Sequence, residues 1–254
     1  MNKIRVGLLF GGKSAEHEVS LQSAKNVLAA LDTSWYEVLL IGIDKSGKWY
    51  WHKNSMNLLN ENHPKLIKLG SEGQELAVVP GRETGQIITV DGKENLGNID
   101  VIFPILHGPF GEDGTVQGLL KLANIPFVGA GVLGSAAGMD KDVMKRLLLA
   151  DNIPIADFLT YTYADRDKID YDKIIHRLGL PLFVKPANMG SSVGISKAYD
   201  DKELKKAIEL AFQYDTRIII EENINGRELE CSVLGNEEPV TSIPGEILPQ
   251  ADFY

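Results

Sequence analysis

The chain has 254 residues, 44% hydrophobic and 24% charged, with a net charge of −9 at pH 7, which describes a globular protein of one large or two ordinary domains with a sizeable core. The acidic balance argues against nucleic acid or an anionic membrane as the main partner, though not against a local basic pocket. A single cysteine, Cys231, excludes an intrachain disulfide framework, and the apolar start is cut by Gly11 and Gly12 before it reaches the ~20 residues of a membrane span, so a cytoplasmic protein is expected.

The first apolar run, residues 4–10, reads as a strand and leads into "GGKSAE". Ala24, Val27, Leu28 and Leu31 then recur at the spacing of one helix face. Residues 36–44 read as a buried strand, and "KSGK" turns into the short strand "WYW". A β-α-β opening predicts a mostly parallel sheet carrying helices. Residues 52–98 are mixed, with strands expected near 76–79 and 86–90, and no chemistry is read there. A strand at 99–106 leads through "HGPFGEDGT" into the helix "VQGLLKLAN".

The texture changes after residues 125–135. A helix over 139–152 takes Asp140 as its N-cap. Strands are expected at 157–162, 181–185, 193–196, 217–221 and 228–235, and helices near 170–178 and 200–213. The last residues, "GEILPQADFY", read as loop and look cut off, so a fragment of a longer protein is expected.

Several loops have the residue types for chemistry. Glu16 follows a strand and two glycines at a helix start, where open α/β sheets bind ligands. The plainer reading is that Ser14 caps the helix and Glu16 complements its dipole, and the residues alone favour it. His107 has Glu112 and Asp113 nearby, a pairing that can orient and charge an imidazole. A glycine turn with Asp113 as a helix cap accounts for the same residues equally well. Lys141 lies early in its helix, where a cation opposes the dipole, and a ligand phosphate would explain it. Lys185 ends the apolar run "LPLFV" and needs a partner if buried. Beyond it Gly190 and Gly194 allow close backbone approach, and Ser191 and Ser192 offer hydroxyls. This is phosphate-cradle chemistry without the Walker spacing. Glu221, Glu222 and Glu228 could accept from an adenine amine or ribose hydroxyls, or form an exposed acidic hairpin turned at Asn225–Gly226.

In order along the chain, "GGKSAEHEVSLQSA", "LHGPFGEDGTVQG", "MDK", "LPLFVKPANMGSSVGISK" and "IEENINGRELE" resemble the D-alanine–D-alanine ligases of the ATP-grasp superfamily. The resemblance runs from residue 4 to the last residue and is poor over roughly 45–98. It implies an α/β fold: a Rossmann-like N-terminal substrate domain over residues 1–129, a central ATP-grasp domain over 130–224, and the start of a C-terminal ATP-grasp domain over 225–254. The implied activity joins two D-alanines through an acyl phosphate made at the expense of ATP with Mg2+, or Mn2+ in its place, for peptidoglycan precursors. By resemblance Glu16 fixes the first D-alanine's ammonium, His107 lies at its reacting end, and Glu112 orients that imidazole. Lys141 and Lys185 take the α- and β-phosphates. Ser191 links Glu16 to a lid-loop tyrosine, and Ser192 lies in the same phosphate-covering loop. Glu221, Glu222 and Ile224 line adenine, and Glu228 takes the ribose. The lid loop and the metal ligands of the family come later than Tyr254, so little activity is expected of this chain alone. A homodimer is implied by the resemblance. Two alternatives remain, a non-catalytic module holding nucleotide or D-alanine, and a ligase joining D-alanine to D-lactate or D-serine.

Overall fold

The structure, a computed structural model, describes residues 3–51 and 73–248. What the sequence suggests for 52–72 and for the closing "ADFY" lies outside the described residues. The chain divides into two compact units, Met1–Ile153 with Ala187–Val193, and Pro154–Pro186 with Gly194–Tyr254.

In the first unit β1 (Ile4–Gly11), α1 (His17–Ala30) and β2 (Tyr36–Ile43) form the expected β-α-β turn, with β1 and β2 parallel from Ile4↔Tyr36 to Gly11↔Ile43. β6 (Val101–Ile105) lies parallel on the other side of β1. The remaining strands, β3 (Trp49–Trp51), β4 (Gln74–Val78) and β5 (Ile87–Thr89), add antiparallel outward from β2. The order β5-β4-β3-β2-β1-β6 therefore corrects the expected mostly parallel sheet. The turn at Asp44–Lys48 is too short for a crossover, and β3 has to double back.

Alternation along β1 sends side chains to both faces. Leu8 and Phe10 meet Leu21 and Ala24 of α1 on one side. On the other, Leu9 joins Ile41, Ile102, Val116 and Leu120, the last two from α2 (Thr115–Leu122). Phe10, Leu21 and Leu120 are almost fully buried, and each such side chain is worth about 1.5–3 kcal/mol.

α3 (Val132–Met139) precedes α4 (Lys141–Ala150). Asp140 caps α4 as expected, accepting from the N–H groups of Asp142 and Val143 at 3.0 and 3.1 Å. α3 gave no signal in the sequence. Its residues are largely Gly, Ser and Ala, only Ser135 is buried, and no apolar stripe marks its period.

The second unit holds a four-stranded antiparallel sheet, β7 (Phe158–Thr162), β10 (Arg217–Glu222), β8 (Leu182–Pro186) and β9 (Ser196–Ala198), in that spatial order. α5 (Tyr171–Leu178) and α6 (Asp201–Ala211) supply Ile174, Leu178, Leu204 and Ile208 to a core with Leu182, Val184, Ile218 and Ile220. The intervening positions, Phe183, Lys185 and Glu221, point to the opposite face by strand alternation.

Three boundaries differ from expectation. β9 starts at Ser196 rather than 193, because Ser191, Ser192 and Gly194 take φ values of 44°, 60° and 71°, which no strand accommodates. The expected strand 228–235 is two, β11 (Glu228–Glu230) and β12 (Val233–Leu234). Between them the Ser232 N–H goes to the Ser242 hydroxyl at 3.0 Å. β12 pairs with β13 (Val240–Thr241), and β11 with β14 (Gly245–Ile247), a strand where the sequence reads as loop. β10 spends both edges on β7 and β8, so Asn225–Gly226 closes no β10–β11 hairpin.

Candidate functional site

β1 and β6 are parallel neighbours whose following helices lie on opposite faces of the sheet. Their outgoing loops therefore part at the carboxyl ends, the crevice where open α/β sheets hold ligands. The loop after β1 carries Ser14 and Glu16, and the loop after β6 carries His107, Glu112 and Asp113. α1 begins at His17 with Glu16 at its N-cap, and Glu16 makes no capping bond. Ser14 accepts the Glu16 N–H at 3.1 Å and donates to the His107 carbonyl at 2.7 Å. Ser14 thus serves the helix start, as the plain reading has it, and also ties the two loops together.

The Glu16 carboxylate lies in a slot between glycines. A Cβ on Gly108 would fall 2.3 Å from its Oε2, and one on Gly190 would fall 3.0 Å away. Ser191 donates its hydroxyl to Oε1. Gly108 has φ +71°, a conformation suited to glycine, and donates its N–H to Glu112 at 2.7 Å.

Glu112 thus holds the loop backbone. The His107 ring is held elsewhere, with Nε2 3.0 Å from the Ser23 hydroxyl on α1. Sequence reasoning missed Ser23, although Ser20 and Ser23 stand on the helix face toward β6. Asp113 accepts from Phe110 N–H and Thr115 N–H, both at 2.9 Å. Burial alone would raise its carboxyl, but those N–H groups outweigh the burial and leave it below the usual carboxylate range.

The segment 187–193 belongs to this first unit. Lys141 fixes it, donating its backbone N–H to the Ala187 carbonyl at 3.0 Å and its ammonium to the Met189 carbonyl at 2.5 Å. Lys141 thus has backbone carbonyls as partners in this structure. A cavity of about 580 Å³ in this unit is lined by Glu112, Gln117, Ser135, Lys141, Met189 and Gly190 among others.

In the second unit Lys185 and Glu221 form an ion pair at 2.5 Å, with side chains 26% and 8% exposed. The exposed acidic hairpin considered for Glu221 is excluded by that burial. Lys185 and Lys197 bring their ammonium groups to 5.4 and 5.3 Å from the centre of the Phe183 ring. Two cations, an aromatic face and a carboxylate on one sheet face suit a polyanion bearing a flat ring with amine donors. Glu222 accepts the Asp157 N–H at 2.7 Å, which closes the strand end. Ile224 and Glu228 are exposed. Ser192 stands beside Ser191 in the left-handed turn.

Comparison with known proteins finds relatives along nearly the whole chain. The family model described as the D-ala D-ala ligase N-terminus matches residues 5–130, and that for the D-ala D-ala ligase C-terminus matches 147–254. The D-alanine–D-alanine ligase of Oceanobacillus iheyensis is 53% identical over 252 residues, covering 99% of this chain and 69% of that protein. D-alanine–D-alanine ligase A of Escherichia coli is 53% identical over 254 residues, covering 100% of this chain and 70% of its own length. Among solved structures, the Coxiella burnetii D-alanine–D-alanine ligase superposes with TM-score 0.86 at 40% identity, over 97% of this chain and 71% of the other. A D-Ala:D-Ser ligase from Enterococcus faecalis gives 0.83 at 37%, over 96% and 70%.

Proposed function

The chain belongs to the D-alanine–D-alanine ligase family, an enzyme family with the ATP-grasp fold, and from that premise we propose that its chemistry is the ATP-dependent joining of two D-alanines for peptidoglycan precursors. The observation that carries the reading is the Glu16 carboxylate, held between Gly108 and Gly190 by Ser191 beside the loop of His107. A carboxylate with glycine on two sides leaves room for a small ammonium ligand, and the neighbouring imidazole suits that ligand's own carboxylate.

In the reaction, a carboxylate oxygen of the first D-alanine attacks the γ-phosphorus of ATP. The bond to the β–γ bridging oxygen breaks, leaving ADP and an acyl phosphate. The amine of the second D-alanine then attacks the acyl carbon, loses a proton, and expels inorganic phosphate. Glu16 holds the first ammonium, Ser191 holds Glu16, and His107 stabilises charge at the reacting carboxylate. Glu112 acts on that imidazole through the Gly108 backbone. Lys141 and Lys185 take ATP phosphates, Ser191 and Ser192 belong to the covering loop, Glu221, Glu222 and Ile224 line adenine, and Glu228 takes the ribose. For Lys141 and Lys185 this requires exchanging present partners, a backbone carbonyl and Glu221, for phosphate oxygens.

Mg2+, or Mn2+ in its place, would accompany ATP. The described residues bring together no group of three or more His, Cys, Asp or Glu side chains able to hold a metal, so no step is assigned to it. No helix among the described residues is long and apolar enough to cross a membrane. We place the protein in the cytoplasm as a homodimer, with D-alanine and ATP as its small-molecule partners and no nucleic acid. Residues 1–129, 130–224 and 225–254 are assigned as substrate domain, central ATP-grasp domain and C-terminal ATP-grasp segment. The likeness to a D-Ala:D-Ser ligase keeps D-serine as the alternative second substrate.

A crossed titration tests this. Lys185→Ala should abolish nucleotide binding and leave D-alanine binding intact, and Glu16→Gln should do the reverse. Loss of both, or of neither, in both folded variants would refute the assignment.

A further inference from the structure

The ring of His107 has one hydrogen-bond partner among the described residues, and it is not an acid. Its Nε2 lies 3.0 Å from the Ser23 Oγ, while Nδ1 has no partner among them. Ser23 sits in the second turn of α1, three residues after Ser20, so both project from one face of the helix. Ser20 donates to the Ile105 carbonyl and accepts the Gly11 N–H at 2.8 Å, which seats that face against the carboxyl end of β6. Two residues beyond Ile105, the chain presents His107 to Ser23. Ser14 fixes the His107 backbone from the other side by donating to its carbonyl at 2.7 Å. The backbone and the ring of His107 are thus held by separate hydroxyls, both carried on the segment that bears Glu16.

We propose that Ser23 is a positioning residue for the first amino-acid substrate, acting through His107 by engaging Nε2 so that Nδ1 is the nitrogen presented to the substrate's carboxylate. A hydroxyl is suited to this because it both donates and accepts. It donates to Nε2 when the ring is neutral, leaving the proton on Nδ1, where an anionic ligand wants a donor. It accepts from Nε2–H when the ring is charged, and the ring plane stays the same. A carboxylate in that position would instead favour the charged ring with a proton on each nitrogen. The proposal rests on the reading of the β1 and β6 loops as a D-alanine site, but its first test does not.

The test uses the chain labelled with 15N-histidine, with the His107 signals assigned by their loss in His107→Gln. In the wild type, two-bond nitrogen–proton correlations should show a neutral ring enriched in the Nδ1–H form, increasing as D-alanine is added. In Ser23→Ala, which is mild in a half-buried helical position, the neutral ring should revert toward the Nε2–H form common in free imidazoles. D-alanine affinity should fall about 3- to 10-fold, the equivalent of one ordinary hydrogen bond. ATP affinity should not change, and Ser23→Thr should restore both tautomer and affinity. Unchanged tautomer populations in Ser23→Ala would overturn the proposal. So would a shifted tautomer with unchanged D-alanine affinity. If D-alanine binds neither protein, the reading of the site fails, and the tautomer comparison alone decides whether Ser23 sets the ring.

Discussion

Gly108→Ala separates a functional slot from an ordinary tight loop. The residue has φ +71°, so any side chain there costs about 1–2 kcal/mol in backbone conformation alone. The added Cβ would stand 2.3 Å from Glu16 Oε2, far inside the 3.4 Å at which ordinary contact begins. The carboxylate has to retreat by roughly an ångström, the difference between those two distances. Its other neighbour, Gly190, is so close that a Cβ there would lie only 3.0 Å away. A charge-assisted hydrogen bond to a bound ammonium contributes about 1.5–3 kcal/mol, so misplacing Glu16 should weaken D-alanine about 10- to 100-fold. Gly92→Ala is the control, because Gly92 has φ +67° and nothing lies within 4 Å of its would-be Cβ. Urea unfolding should report a loss for both variants, at least as large for Gly108→Ala because of its added clash, whereas calorimetric titration with D-alanine should report a loss only for Gly108→Ala. Equal D-alanine affinity in the two variants would refute the slot.

Asp113 is held ionised by the N–H groups of Phe110 and Thr115, so its carboxyl stays below the usual range in the folded chain despite burial. A depressed value means stability that is present above the unfolded pKa of about 3.9 and is lost as pH falls through the folded value. Asp113→Asn should therefore be less stable than wild type at pH 7, with the gap in urea midpoint closing below about pH 4; a gap independent of pH would contradict this. Glu221→Gln leaves Lys185 without its carboxylate, and with a quarter of the Lys185 side chain exposed the cost should be about 1–2 kcal/mol rather than the 3–5 of a sealed pair. Chemical unfolding measures it, and an unchanged midpoint would show the pair to be energetically idle.

Legibility in the sequence followed the strength of local pattern. β1, β2, β8 and β10 were plain because each carries a short run of aliphatic, β-branched or aromatic residues. α4 was plain because Asp140 caps it and its apolar period is regular. α3 was not, since small residues on an exposed helix leave no stripe. The antiparallel half of the first sheet was missed because single strands do not declare direction, and only the short turn at Asp44–Lys48 forces it. Among the candidate residues, Glu16 and His107 in the first unit, and Lys185 and Glu221 in the second, drew attention by residue type and by their place at strand ends. Ser23 did not, because a serine inside an amphipathic helix looks like any polar position until the fold sets His107 opposite it. Lys141 was legible as a cation opposing its helix dipole, but the Met189 carbonyl it reaches lies 48 positions away and no local rule extends that far.

The most direct test of the central claim is calorimetric titration of the chain with D-alanine and with L-alanine, in the wild type and in Glu16→Gln. The account predicts that D-alanine binds, that L-alanine binds at least tenfold more weakly, and that Glu16→Gln abolishes the D-alanine signal. Equal binding of the two enantiomers, or D-alanine binding that survives the loss of the Glu16 charge, would contradict it.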